Sequence, residues 1–178
     1  MNMQSHIRQS LLRAREAFDR RPSAALHEDS TAVAVWNGSL STQLLHPSAS
    51  NLGTDMPAVL GGSGGHPSPG WYFRAGVASC MATSIAMEAA MQGIALTRLE
   101  VEAHSESDSR GMLGTAQVSA GPLRFWLKVA LESPDAPEET LRELVALADS
   151  RSPMAQGVRR EIEVELTVDP LTNSRPAT

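Results

Sequence analysis

The chain has little of what holds small folds together covalently or through metal. A single cysteine, Cys80, stands among 178 residues. That excludes a disulfide within one chain and any centre built from several thiolates. The five histidines (His6, His27, His46, His66 and His104) are scattered, with no pair at ligand spacing, so neither a metal nor a cofactor is expected. Lysine occurs once, at Lys128, against fourteen arginines; this bias is read as genomic composition and carries no function. Long apolar runs are also missing. The most apolar stretch, Ala75 to Met87, is broken by Glu88, well short of the ~20 residues that span a bilayer. The N-terminal MNMQSHIRQSLLRAREAFDRR lacks the apolar core of a secretory signal. Excess positive charge is absent too: a net charge of −5 disfavours nucleic acid as a partner. Cytoplasmic residence is the expectation, and a free thiol agrees with it.

What is present fits a globular domain of ordinary size, with 42% hydrophobic and 20% charged residues. A chain this long buries ~70% of its unfolded surface and needs no covalent staples. Ile7, Leu11, Ala14 and Phe18 recur at helical spacing before Pro22, with arginines mostly on other faces. Such a helix either lays its apolar stripe on the domain or a second subunit, or meets a membrane or acidic partner. Thr31 to Leu45 alternates as extended chain around Asn37-Gly38, a turn dipeptide. From Ser41 to Gly70 the only charged side chain is Asp55, and the stretch ends in GGSGGHPSPG. This glycine-rich run is either a flexible linker or a cradle of backbone N–H groups for an anion. It matches neither the phosphate-loop nor the dinucleotide spacing.

From Trp71 to Ile94 the spacing predicts a helix of small and sulfur-bearing residues almost all the way round. A helix with so narrow a polar face belongs in an interior, and Gly93 supplies its stop signal. Arg98 to His104 and Leu123 to Glu132 alternate apolar and polar positions, a meander with one solvated face. A second helix carries Leu141, Leu144, Val145 and Ala148. It is announced by Asp135 with Glu138 at capping-box spacing and ends near Ser152-Pro153. A last one-sided strand is expected over 161–168, followed by a loose tail. Antiparallel strand runs with helices gathered on one face make the class α+β.

Cys80 is the one residue that can carry chemistry. It lies within the apolar helix, one turn from Gly76, Val77, Thr83 and Ser84. It reads either as a small core residue or as a nucleophile whose pKa is lowered by a cation. Arg74 is on another face of the same helix, so an activating cation has to come from elsewhere. His66, Arg74 and the N-terminal arginines are the candidates, across a dimer if need be.

The stretch VLGGSGGHPSPGWYFRAGVASCMATSIAMEAAMQGIALTRLEVEA, with TAVAVWNGSL upstream and ALADSRSPMA downstream, resembles the OsmC/Ohr family of bacterial thiol peroxidases. The resemblance covers roughly residues 30 to 168 and divides the chain into a helical extension (1–24), an OsmC-like domain (25–170) and a tail (171–178). It implies an intertwined homodimer with antiparallel sheets wrapped around long buried central helices. It implies that Cys80 attacks a hydroperoxide and that an external thiol or dithiol restores it, with His66, Arg74, Thr83 and Ser84 as pocket candidates. The sequence departs from the family pattern in three places. The resolving cysteine is replaced by Ser152, the pocket glutamate falls at about Gly70, and the early strands hold no arginine. These losses leave a second expectation open, a non-catalytic dimer that binds a small apolar ligand.

Overall fold

The computed structural model describes residues 3–46 and 48–168. Helix α1 (Met3–Arg20) is followed by a short 3-10 turn, then by strands β1 (Val33–Trp36), β2 (Ser41–Leu45) and β3 (Leu52–Asp55). Helix α2 (Pro69–Gln92) leads into β4 (Arg98–Ser107), the short helix α3 (Ser109–Leu113) and β5 (Pro122–Glu132). Helices α4 (Glu138–Arg151) and α5 (Pro153–Arg159) complete the order. The class is α+β, with antiparallel strands throughout: β1-β2-β3 form one sheet and β4-β5 another.

Helix α2 has the limits its sequence sets. The Ser68 side chain accepts a hydrogen bond from the Trp71 N–H, Pro69 occupies the first turn, and Gly93 closes the helix in the left-handed region at φ 74°. Val77, Met81, Ile85, Ala89 and Ala90 form its buried stripe. Met81, Ile85 and Ala89 join Leu144 and Ala148 of α4 in the core, roofed by Leu99, Val101, Leu127, Val129 and Leu131 from β4 and β5. The register Leu99↔Leu131, Val101↔Val129 and Ala103↔Leu127 puts these apolar residues on one face. On the other face the His104 ring stacks on Trp126 at 5.1 Å and meets Glu102 at 2.9 Å.

Helix α1 docks on the C-terminal half of α2, running antiparallel to it. The Gln4 amide donates to the Ile94 carbonyl, and Arg8 Nε donates to the Met91 carbonyl at 3.2 Å. Both acceptors lie at the end of α2, where carbonyls lack helical partners and a cation is favoured.

Several elements differ from expectation. The segment 161–168 forms no strand, and Ile162, Val164, Leu166 and Val168 are exposed. A strand needs a neighbouring edge for its N–H and C=O groups, and this segment pairs with none among the described residues. Asp135 does not cap α4: its N-cap is Pro137, without a side-chain hydrogen bond. Strand β2 lies within the extended chain expected over Thr31 to Leu45, whereas β3 stands before the glycine-rich run where no strand is expected. Helix α5 restarts beyond Ser152, where only a stop is expected. The expected loose tail, 171–178, lies outside the described residues.

Removing residues 1–22 should lower the melting temperature measured by calorimetry, because the end of α2 loses both donors. Arg8→Ala alone should cost about 0.5 kcal/mol, and Leu144→Ala, deep in the core, about 3 kcal/mol. Unchanged stability of the truncated chain, with lost binding to anionic vesicles, would mean that α1 serves a membrane instead.

Candidate functional site around Cys80

Proline makes the local geometry here. Pro153 disfavours helical backbone at the residue before it, so α4 stops and Ser152 takes an extended conformation at φ −77°, ψ 112°. Pro153 then opens α5, where its missing N–H is no loss. The break turns the Ser152 side chain inward. The residue is 0% exposed, and its Oγ donates to Cys80 Sγ at 3.5 Å. The Ser152 carbonyl accepts from the Gln156 N–H at 2.9 Å, which locks the hinge. Cys80 itself is half-buried. The sequence therefore brings Cys80 and Ser152 together across 72 positions.

The other expected site residues are dispersed. Thr83 is exposed and Ser84 half-buried on the Cys80 side of α2. Arg74 turns away to β4, where Nη1 donates to Ser105 Oγ at 3.2 Å. A Cβ on Gly70, the position of the missing acid, would lie 3.8 Å from that same Nη1. The His66 ring packs on the backbone of Gly53, within 2.8 Å of where a Cβ there would sit. Among the described residues no guanidinium or imidazole hydrogen-bonds Cys80; the hydroxyl of Ser152 is its partner. No group of three or more metal-ligating side chains comes together among them either.

One ion pair was not anticipated. Glu88, 12% exposed, accepts from Arg151 at 2.7 Å and from the Gln92 amide at 3.0 Å. Glu88 lies two turns below Cys80 on the same side of α2, and Arg151 immediately precedes Ser152. The available signal was that Glu88 is the only acid within α2. The pair ties α2 to the end of α4 and so holds the Cys80–Ser152 seam closed from one side.

The glycine-rich loop is an anion cradle, but its anion belongs to the chain. The buried Asp55 carboxylate accepts from the N–H groups of Met56 (2.8 Å), Ser63 (3.0 Å) and Gly65 (3.1 Å), and from the Ser63 hydroxyl. Glycine is required on both steric and conformational grounds. Gly61 has φ +90°, and a Cβ on Gly62 would fall 1.9 Å from the Met56 carbonyl oxygen. The Ser63 hydroxyl, then the N–H groups of Gly65, Met56 and Ser63, hold the Asp55 pKa below the ordinary aspartate range against the opposing effect of burial. Because the folded value is the lower one, Asp55 adds stability above the unfolded pKa of about 4, and this is lost as pH falls through the folded value.

A groove of about 400 Å³ runs beside the seam between α1, α2 and the end of α4. Two wider troughs, of about 690 and 910 Å³, lie against β5 and α5, and Cys80 lines neither.

A family model described as OsmC-like protein matches residues 62–167. The chain belongs to the OsmC-like protein family. Its fold is similar to that of an OsmC-like protein from Mycoplasma pneumoniae, with 16% identity and a TM-score of 0.63, covering 75% of this chain and 89% of that one. It is similar to an organic hydroperoxide resistance protein from Legionella pneumophila, with 25% identity and a TM-score of 0.54, covering 75% and 92%. It also resembles an OsmC-like protein of unknown function from Vibrio cholerae, with 15% identity and a TM-score of 0.59, covering 76% and 96%. No curated protein matches the sequence. No helix among the described residues is long and apolar enough to cross a membrane.

Two outcomes test this geometry. Ser152→Cys should form a disulfide with Cys80 under mild oxidation, because its sulfur starts near 3.5 Å and needs only a small rotation to reach bonding distance. Persistence of both free thiols on mass analysis would contradict the contact. Asp55→Asn should lower stability at neutral pH, with the gap to wild type narrowing in acid as the wild-type carboxylate takes up its proton. Denaturant midpoints across pH would read this.

Proposed function

We propose that this protein is a homodimeric, thiol-dependent reductase of small organic hydroperoxides in which Cys80 reacts alone. The observation that carries the reading is the buried contact between Cys80 and Ser152, at the position where the resemblance expects the resolving thiol. In the first step the Cys80 thiolate attacks one peroxide oxygen. The O–O bond breaks, sulfur is oxidised to sulfenic acid, and the departing alkoxide takes a proton to become the alcohol. The Ser152 hydroxyl donates to the sulfur and fixes its orientation. With no second thiol in the chain, an external thiol or dithiol condenses with the sulfenic acid and expels water. A second thiol then releases Cys80 by exchange. The steps need no metal or cofactor, and cytoplasmic residence with reducing thiols at hand suits them.

Exposure supports the dimer. All four residues of β1 are exposed, with Trp36 at 71%, and the helices give the β1–β3 sheet no cover. In 161–168, Val164 and Leu166 are 85% and 86% exposed. A two-stranded sheet and an uncovered three-stranded sheet are marginal alone, and a second copy can pair their free edges. The division into a helical extension (1–24), an OsmC-like domain (25–170) and a tail (171–178) is part of the same reading.

The absence of a cation bonded to Cys80 among the described residues favours a second reading, a non-catalytic dimer with a small apolar ligand. Each turnover needs an external thiol to release Cys80, so turnover should be slow. An organic hydroperoxide should yield a species labelled by a sulfenic-acid probe in wild type and not in Cys80→Ser, with turnover only when thiol is added. No labelling, with alkylation following a pKa at or above ~8.5, would leave the binding reading. A stable folded monomer in sedimentation at micromolar concentration would remove the dimer.

A further inference from the structure

The groove beside the Cys80–Ser152 seam has the chemistry of a binding site in its own right. Its walls are Leu11, Ala14 and Phe18 of α1 facing Met87 and Met91 of α2, with Ala148 of α4 between them. Methionine and leucine side chains adapt to an alkyl chain, and Phe18 and Met87 are still partly exposed along it. The groove spans eight residues of each helix, Leu11 to Phe18 and Ser84 to Met91, which is a length of about 10 Å at the helical rise. Such a slot suits an extended chain better than a broad ring system.

Charge narrows the choice of ligand. Three charged residues line the groove, Arg15, Arg151 and Glu88. Arg151 and Glu88 neutralise each other at 2.7 Å. Arg15 has no hydrogen-bond or ion-pair partner among the described residues, whereas Arg8, Arg13 and Arg20 on the same helix are all engaged. The groove therefore offers one unpaired guanidinium above an apolar floor. A planar, singly charged carboxylate matches it bidentately. A dianion would add charge facing Glu88 without a second free cation.

We infer that the α1–α2 groove binds a medium-chain alkyl carboxylate, its head on Arg15 and its chain along Leu11, Phe18, Met87 and Met91. The inference does not rest on the reactivity of Cys80, and Cys80→Ser should bind the ligand as wild type does. The helix α1 then has two roles, closing the end of α2 and forming one wall of this site.

Titration calorimetry on the full chain, with octanoate and octanol as probes, tests the inference. Wild type should bind octanoate about fivefold more tightly than octanol, the scale of one exposed charge pair. Arg15→Gln should erase that preference and leave octanol binding in place. Phe18→Ala should weaken both probes. Arg13→Gln, a neighbouring arginine bonded to Ser10, should change neither. The inference is overturned by equal binding of octanoate and octanol to wild type, or by equal effects of Arg13→Gln and Arg15→Gln. It is likewise overturned by binding to phosphatidylglycerol vesicles with none to free octanoate, or by no binding at all.

Discussion

The apolar circumference of α2 is the constraint from which the rest of the structure follows. With two charged side chains in twenty-four residues, this helix cannot face water on most of its surface. Within the chain β4 and β5 cover one side, α4 and α5 another, and α1 the C-terminal half. Each covering element brings its apolar residues at the period that α2 requires, alternate along β5 and three to four apart along α4. Gly76, Thr83 and Ala86 remain exposed on the uncovered side. They are small enough for another helix to approach closely, as the proposed dimer requires.

The same burial sets the chemistry. A cysteine on α2 is held among packed elements, and only a break in a neighbouring helix brings a polar group to it. The Ser152-Pro153 step supplies that break at little energetic loss, because proline is poorly tolerated inside a helix and well tolerated at its start. Glu88 and Arg151 fasten α2 to the same corner. The seam is thus a product of helix termination and one ion pair, with no loop needed to close it.

What sequence can and cannot reveal follows from where each structure finds its partners. Helix α2 was legible because its cap, first-turn proline and stop glycine are local, and β4 and β5 because their alternation faces one continuous core. Strand β3 was not: its buried positions are Thr54 and Asp55, so polarity concealed a strand interior. The glycine-rich loop raised the right physics, an anion on backbone N–H groups, but no spacing rule makes Asp55, eight residues before Ser63 and ten before Gly65, that anion. The alternation of 161–168 is a strand pattern that pairs with no edge among the described residues, and periodicity cannot say whose edge a strand will join. For the site, the Cys80–Ser152 contact was legible through family resemblance alone. A half-buried thiol and a buried hydroxyl 72 positions apart leave no mark in local pattern.

Two departures from the family pattern converge on one consequence. Where the resemblance expects an acid near the start of α2, Gly70 leaves Arg74 without a carboxylate, and the guanidinium takes the hydroxyl of Ser105. Where it expects a thiol beside Cys80, the hydroxyl of Ser152 stands instead. In both places a neutral hydrogen bond replaces a charged or redox-active partner. Neutral bonds orient a group nearly as well as charged ones. The fold thereby holds Cys80 against Ser152 and Arg74 against Ser105 with no ion pair at either among the described residues. Stability is indifferent to that exchange, since each polar atom still has its partner. The proposed reaction is not, because a lone thiol depends on an external thiol for its return. The packing around α2 can therefore persist unchanged while the proposed reaction at its centre comes to depend on a second molecule.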